Sequence, residues 1–390
     1  MSGMPDPRIH HDEFEQRWES LRIMMLENNL DLLITYSNDR AVFGNAHARW
    51  ISDFPTHLEP VFTVSFRTGD TIIASGPESL EYIKLKSKVK DIYVLKEFTH
   101  QEEVYAIDNI RSMYEIISER ENPEKIKRVG VAGLDIIDHA AYVAIRNSLP
   151  DAELVDVEYK VCLLRARKTK GEIEVLRNAY RIADLAFKAA VSAIKPGKTE
   201  MEICAVADDV MKRNGAENTG IDTMIASGPY CAVAVSRPTF RVIEKQDIVR
   251  VAVIPRYEGY HATIGRPVFV GNVDPDTKKI YGILCEARDA CVERIRIGVD
   301  GSDAEGAGRK VLMDAGYQYT YSGIHSIGVK EFESPIFGPG VEGKIFDQMA
   351  LSIEIPLFEQ SWGGLHMEDG CLVTDKGAEL FLNTRDYIAI

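Results

Sequence analysis

The sequence predicts an α/β (α+β) protein of two domains, and three observations carry that reading. The 390 residues exceed one average domain and fall short of three. Up to about residue 150, short apolar runs alternate with amphipathic helical stretches, the pattern of a mixed α/β domain. A change of composition across residues 151–168, from acidic and apolar to the basic Arg165-Ala166-Arg167-Lys168, then marks a boundary. The domains are placed at 1–158 and 159–390.

Along the first domain, Phe14, Trp18, Leu21, Met25 and Leu30 recur about one helical turn apart and define an opening helix. Strands are expected at Asp31–Tyr36, Val61–Ser65, Thr71–Ala74, Asp91–Leu95 and Val129–Ala132, with helices at 78–85, 104–120 and 136–148. The second domain opens with helices at about 171–194 and 199–214. Pro196 and Gly197 separate them, and Thr199 with Glu202 forms a capping box. Further helices are expected at about 274–296 and 303–315. Strands are expected at Ile248–Ile254, Thr263–Val270, Ala350–Pro356 and Cys371–Thr374.

Composition excludes several function classes. With 45% hydrophobic and 27% charged residues the chain is neither a fibre nor a membrane protein. A net charge of −14 argues against a broad nucleic-acid surface, which needs lysine and arginine to neutralise phosphates. The first residues show no basic segment followed by an apolar run, so a cytoplasmic location is expected. The six cysteines have no paired spacing and read as buried free thiols rather than a zinc or disulfide framework. Cys371 sits in an apolar run that would keep its thiol inert.

Charged residues set into apolar strands persist only with a partner or a purpose. Glu354, in Ser352-Ile353-Glu354-Ile355-Pro356, is one. Glu368, in Gly364-Leu365-His366-Met367-Glu368-Asp369, is another, followed by Val373-Thr374-Asp375-Lys376-Gly377-Ala378-Glu379. Upstream stands Ile324-His325-Ser326-Ile327-Gly328.

In these segments the chain resembles the creatinase and prolidase superfamily of pita-bread fold, whose prolidase branch carries G-H-G-I-G, S-x-E-P, G-x-R-x-E-D and V-T-x-x-G-x-E in this order. The resemblance implies a pita-bread catalytic domain behind a mixed α/β N-terminal domain, and a homodimer. It also implies a site built on His325, Glu354 and Glu368. Peptidases of the family bind two divalent metals with two aspartates besides these three groups. Here those positions hold Ala252 and Thr263, neither of which replaces a carboxylate. The peptidases' substrate-holding histidines fall within Val233-Ala234-Val235-Ser236, which holds none, and at Phe332. Creatinase, which hydrolyses a C–N bond without metal, has a Ser-Phe-Gly after its histidine much like Ser326-Ile327-Gly328.

The expectation is therefore a metal-independent, cofactor-free C–N hydrolase acting on a small polar metabolite. His261 lies two residues before Thr263 and is the added candidate acid or base. Phe332, His366, Arg266, Tyr230 and Trp50 are candidate substrate contacts. A metallopeptidase with altered ligands and a non-catalytic binding protein stand as alternatives. No nucleic-acid or membrane partner is expected.

Overall fold

The structure is a computed structural model that describes residues 7–100, 102–272, 275–318, 321, 323–360, 363–383 and 388–390. It divides into two compact units, Ile9–Arg165 and Ala166–Ile390, the latter including Pro7 and Arg8. The helix Glu158–Ala166, assigned from sequence to the second domain, thus lies almost wholly in the first unit.

The first unit is built on a mixed seven-stranded sheet. Its central strand, Leu32–Ser37, pairs antiparallel with Val61–Phe66 and parallel with Arg128–Ala132. All six residues of Leu32–Ser37 are buried, as expected of a strand covered on both faces. The helix expected over 104–120 is much shorter, Met113–Ser118, and follows a strand at Ile110–Arg111. Asp108-Asn109 favours a turn, and Ser112 and Glu115 then close a capping box that fixes the helix start late.

The second unit is a nine-stranded sheet covered by helices. Its order runs from Glu333–Phe337 through Ile324–Ser326, Ala350–Gln360, Gly363–Thr374, Ile264–Phe269 and Ile248–Val253 to Met224–Ser227. The helix Lys170–Ala193 lies against Ile248–Val253 and Ile264–Phe269, and Glu200–Arg213 packs on that helix. Both helices begin with capping boxes, Thr169 with Glu172 and Thr199 with Glu202. Pro275–Arg294 and Gly301–Asp314 pack together, the first covering the central strands over a core that includes Leu284, Ala287, Leu312, Ile353, Ile355 and Met367. Gly308 permits this approach, since a Cβ there would lie 2.4 Å from Cys291 Sγ. Among the described residues no helix is long and apolar enough to cross a membrane.

The strand expected at Cys371–Thr374 is in fact a 12-residue strand, Gly363–Thr374, with Glu368 in its interior. It pairs in register with Ala350–Gln360, placing Glu354 directly opposite Glu368. On its other side Glu368 faces Gly265, and Gly265 in turn faces Ala252. Directly opposed residues of antiparallel strands share a face. Glu354, Glu368, Gly265 and Ala252 therefore form one row across the sheet.

Candidate active site

Donor atoms of His325, Glu331, Glu354 and Glu368 all lie within 4.8 Å of one another. Two of these residues sit on the long central strands, and His325 on the short strand beside them. Glu331 enters from the loop between Ile324–Ser326 and Glu333–Phe337. The group is almost dry: His325 is fully buried, Glu368 is 2% and Glu331 6% exposed, while 23% of the Glu354 side chain faces outward. Glu354 is thus the most exposed of the four.

Hydrogen bonds fix each member. Ser352 Oγ donates to Glu368 Oε1 at 2.7 Å, and Thr263 Oγ1 donates to Glu331 Oε1 at 3.1 Å. His325 Nδ1 lies 2.9 Å from the carbonyl of Ser326, which can only accept, so Nδ1 carries a hydrogen and Nε2 faces the carboxylates. Nε2 stands 3.6 Å from Glu354 Oε1. Phe332 lies over the imidazole with ring centroids 4.5 Å apart.

The electrostatics push the carboxylates apart. Burial, and then the charges of Glu354 and Glu331, hold the Glu368 carboxyl well above the usual carboxylate range. Burial likewise raises Glu331 against the pull of His325. Burial works to raise Glu354 as well, but His325 more than offsets it and holds Glu354 low. Burial would lower His325, yet Glu354 and Glu331 together raise it. One face thus carries two neighbouring carboxyls whose proton affinities are pushed in opposite directions, the kind of separation acid–base chemistry uses.

The other sequence candidates are distributed differently. His366 does reach the group, with Nε2 3.7 Å from Glu368 Oε2, stacked on Phe358 at 5.6 Å. Its ring covers Gly265, where a Cβ would come within 2.7 Å of it. Burial, with Arg250 and Arg266 nearby, lowers its pKa to about 4.

His261 is outside the group, correcting its reading as an acid or base. It pairs with Arg256 in a separate three-stranded sheet, is fully buried, and turns Nδ1 to the Gly328 carbonyl at 3.0 Å. The chain does not run as one strand from Tyr260 to Thr263, so alternation does not carry His261 to the site. Arg266 is likewise spent elsewhere: it points to the opposite face from Gly265 and pairs with Asp369 at 2.5 Å. Tyr230 stands exposed on the helical turn Gly228–Ala232, and Trp50 is buried in the first unit beneath the guanidinium of Arg17.

Burial and the nearby Arg256 push His261 down to about 3, so the native protein holds it neutral. Its contribution to stability is complete above the ordinary histidine pKa of about 6.5 and is lost as pH falls toward 3, because the unfolded chain takes up the proton first. His261→Gln is expected to flatten this acid slope by up to one proton, about 1.4 kcal/mol per pH unit. Urea unfolding from pH 7 to pH 4 measures it, and an unchanged slope refutes it.

Glu331 is the member of the group that the sequence left unmarked. Arg250 is 2% exposed, donates to the carbonyls of Val233 and Ala234 and to Ser236 Oγ, and lies over the ring of Phe358 at 5.2 Å. Glu331 belongs to no strand and to no motif position, so its sequence signal was only a carboxylate beside Phe332 and close after His325. Cys371 is buried and pushed up to about 12, as its apolar run suggested.

Comparison with known proteins identifies the family. A family model for metallopeptidase family M24 matches residues 174–375. The chain is 33% identical over 223 residues to an Xaa-Pro dipeptidase of Pyrococcus furiosus, an alignment covering 57% of this chain and 64% of that relative. It is 27% identical over 330 residues to an Xaa-Pro dipeptidase of Pyrococcus horikoshii, covering 81% of this chain and 93% of the relative. An Xaa-Pro dipeptidase structure from Bacillus anthracis superposes with a TM-score of 0.81 at 24% identity, covering 97% of this chain and all of that one, and shares the fold. The chain belongs to metallopeptidase family M24. It is a hydrolase of that family, with a pita-bread catalytic domain. The expectation of a creatinase-like, metal-independent enzyme finds no support in these relatives, which are Xaa-Pro dipeptidases.

Proposed function

We propose that the protein hydrolyses the C–N bond of a small peptide-like substrate, an Xaa-Pro dipeptide or a close analogue, through a metallopeptidase site with an altered ligand set. The observation that carries this reading is the convergence of His325, Glu331, Glu354 and Glu368 at one end of the row on the catalytic sheet. The names of the relatives support the substrate class.

The family implies a pair of metal ions, and the residues present do not fit a pair. At the far end of the row Ala252 packs in a small apolar cluster with Met224 and Ile254, and the His366 ring occupies the space above Gly265. No carboxylate is left there to bridge two ions, which in such sites stand about 3.5–4 Å apart. What the chain's own groups do is hold and move protons. Glu354 is ionised and open to solvent, placed to orient and deprotonate an attacking water. Glu368, whose hold on a proton its surroundings strengthen, is placed to protonate the departing nitrogen. Phe332 and Phe358 supply apolar walls beside them, and Phe332, His366 and Glu354 are the proposed substrate contacts. A homodimer and a cytoplasmic location belong to the same proposal.

A panel of Xaa-Pro dipeptides, their Pro-free counterparts and creatine-type guanidino compounds, assayed with and without Mn²⁺, tests the reading. Faster hydrolysis of the Xaa-Pro members is expected. Turnover confined to guanidino compounds, or binding of dipeptides with no turnover at all, overturns it.

A further inference from the structure

Two positions along each strand from the row of Glu354, Glu368, Gly265 and Ala252, a second row runs across the same face. It holds Pro356 opposite His366 and, further across, Pro267 opposite Arg250. Arg250 is a charge inside the otherwise apolar strand Ile248–Val253 and is 2% exposed. Its side chain reaches over the intervening strands Ile264–Phe269 and Gly363–Thr374 to Phe358, whose ring the guanidinium covers at 5.2 Å. Phe358 stacks in turn on His366, and His366 Nε2 stands 3.7 Å from Glu368. Arg250 therefore belongs to the face that carries the carboxyls. With burial, its charge helps to hold His366 at about 4.

A buried guanidinium is costly unless a carboxylate balances it. Arg266 and Arg288 share Asp369, and Arg165 has Glu158. Among the described residues Arg250 meets only neutral acceptors. Nη1 donates to the carbonyls of Val233 and Ala234 at 2.7 and 2.9 Å, and Nη2 to Ser236 Oγ at 2.9 Å. Nε is buried and has no hydrogen-bond partner. Three of the five N–H hydrogens of a guanidinium are thus engaged, leaving that of Nε and one on Nη2. These two nitrogens form one edge of the planar group, the edge that takes a carboxylate side-on through two parallel hydrogen bonds.

We infer that Arg250 is a specificity-determining residue that receives the free carboxylate of the substrate on its Nε and Nη2 edge. The anion would supply the counter-charge that the protein withholds, and Phe358 and the backbone carbonyls fix the guanidinium in advance of binding. The inference rests on the proposed function for the identity of the substrate. It adds that the substrate is taken as a free acid and not as an amide.

Binding of alanyl-proline and of alanyl-prolinamide to the full-length protein tests this, with creatine and creatinamide as a second pair. Affinity is read as Kd by calorimetry, or as KM where turnover is seen. The acid of the accepted pair should bind about ten- to a hundredfold more tightly than its amide, the worth of charge-assisted hydrogen bonds. Arg250→Met, which keeps an unbranched stem over Phe358, should bring the acid down to the level of the amide and leave the amide where it was. If thermal unfolding shows that this variant does not fold, Arg250→Lys takes its place, with a partial loss of the preference expected. Equal binding of acid and amide by the wild type, binding of neither acid, or an undiminished preference in the variant overturns the inference. Equal weakening of acid and amide also overturns it, because that outcome marks a role confined to holding the segment 233–236. Hydrolysis of Xaa-Pro dipeptides without an acid preference leaves the proposed function standing. A preference seen only for creatine and abolished by the substitution leaves Arg250 standing and removes the proposed function, so the two fail separately.

Discussion

Glu368→Gln is expected to lower turnover roughly 10²–10⁴-fold, the range over which a positioned acid or base contributes, while leaving the fold intact. The carboxamide has the shape of the carboxyl it replaces, and Ser352 Oγ can still donate to its oxygen as it does at 2.7 Å to Glu368. What the substitution removes is an ionisable carboxyl whose hold on its proton is strengthened by burial and by the neighbouring Glu354 and Glu331. It also removes a group that resists ionising at neutral pH, so unfolding free energy should hold or rise. The measurement pairs kcat on the best substrate of the dipeptide panel with urea unfolding. Undiminished kcat would remove Glu368 from the chemistry, and a collapse of stability would reassign it to the fold.

Much of this arrangement was legible in the sequence, for physical reasons that can be traced residue by residue. Helices with complete capping boxes were found close to their true ends: Thr199 and Glu202 define the helix Glu200–Arg213 from local chemistry alone. His325, Glu354 and Glu368 were found because a charge inside an apolar strand needs a reason, and the structure brings all three together. The strand Gly363–Thr374 was recognised only in its last residues because Gly363, Gly364, His366, Glu368 and Asp369 erase the apolar pattern. The residues that hide the strand are those that use it. Glu331 was illegible for the opposite reason. A glutamate in a loop reads as solvated, and only the path of the chain around Gly328 carries it into the cluster. His261 failed as a candidate because alternation was extended past the end of its short strand, Tyr260–His261.

The same strand makes a second large prediction, one position along. Successive side chains of Gly363–Thr374 point to opposite faces, so Asp369 leaves the site and enters the core behind it. There it is 3% exposed and takes Arg266 at 2.5 Å on one oxygen and Arg288 at 2.8 Å on the other. Arg266 also donates to the carbonyls of Gly265 and Glu368, tying the guanidinium to the backbone of the two strands that carry the row. Asp369→Ala would leave two buried guanidinium groups without their shared carboxylate. Removing one partner of a buried pair typically destabilises by about 3–5 kcal/mol, because the remaining charge stays desolvated. A loss of that size is expected in urea unfolding. Since Arg266 holds the backbone beneath Glu368, activity should fall with the fold rather than ahead of it. Glu368→Gln and Asp369→Ala, neighbours in sequence, should thus separate function from stability. If Asp369→Ala unfolds within about 1 kcal/mol of the wild type, a span in which single surface changes usually fall, the network behind the sheet is not what holds the row in place.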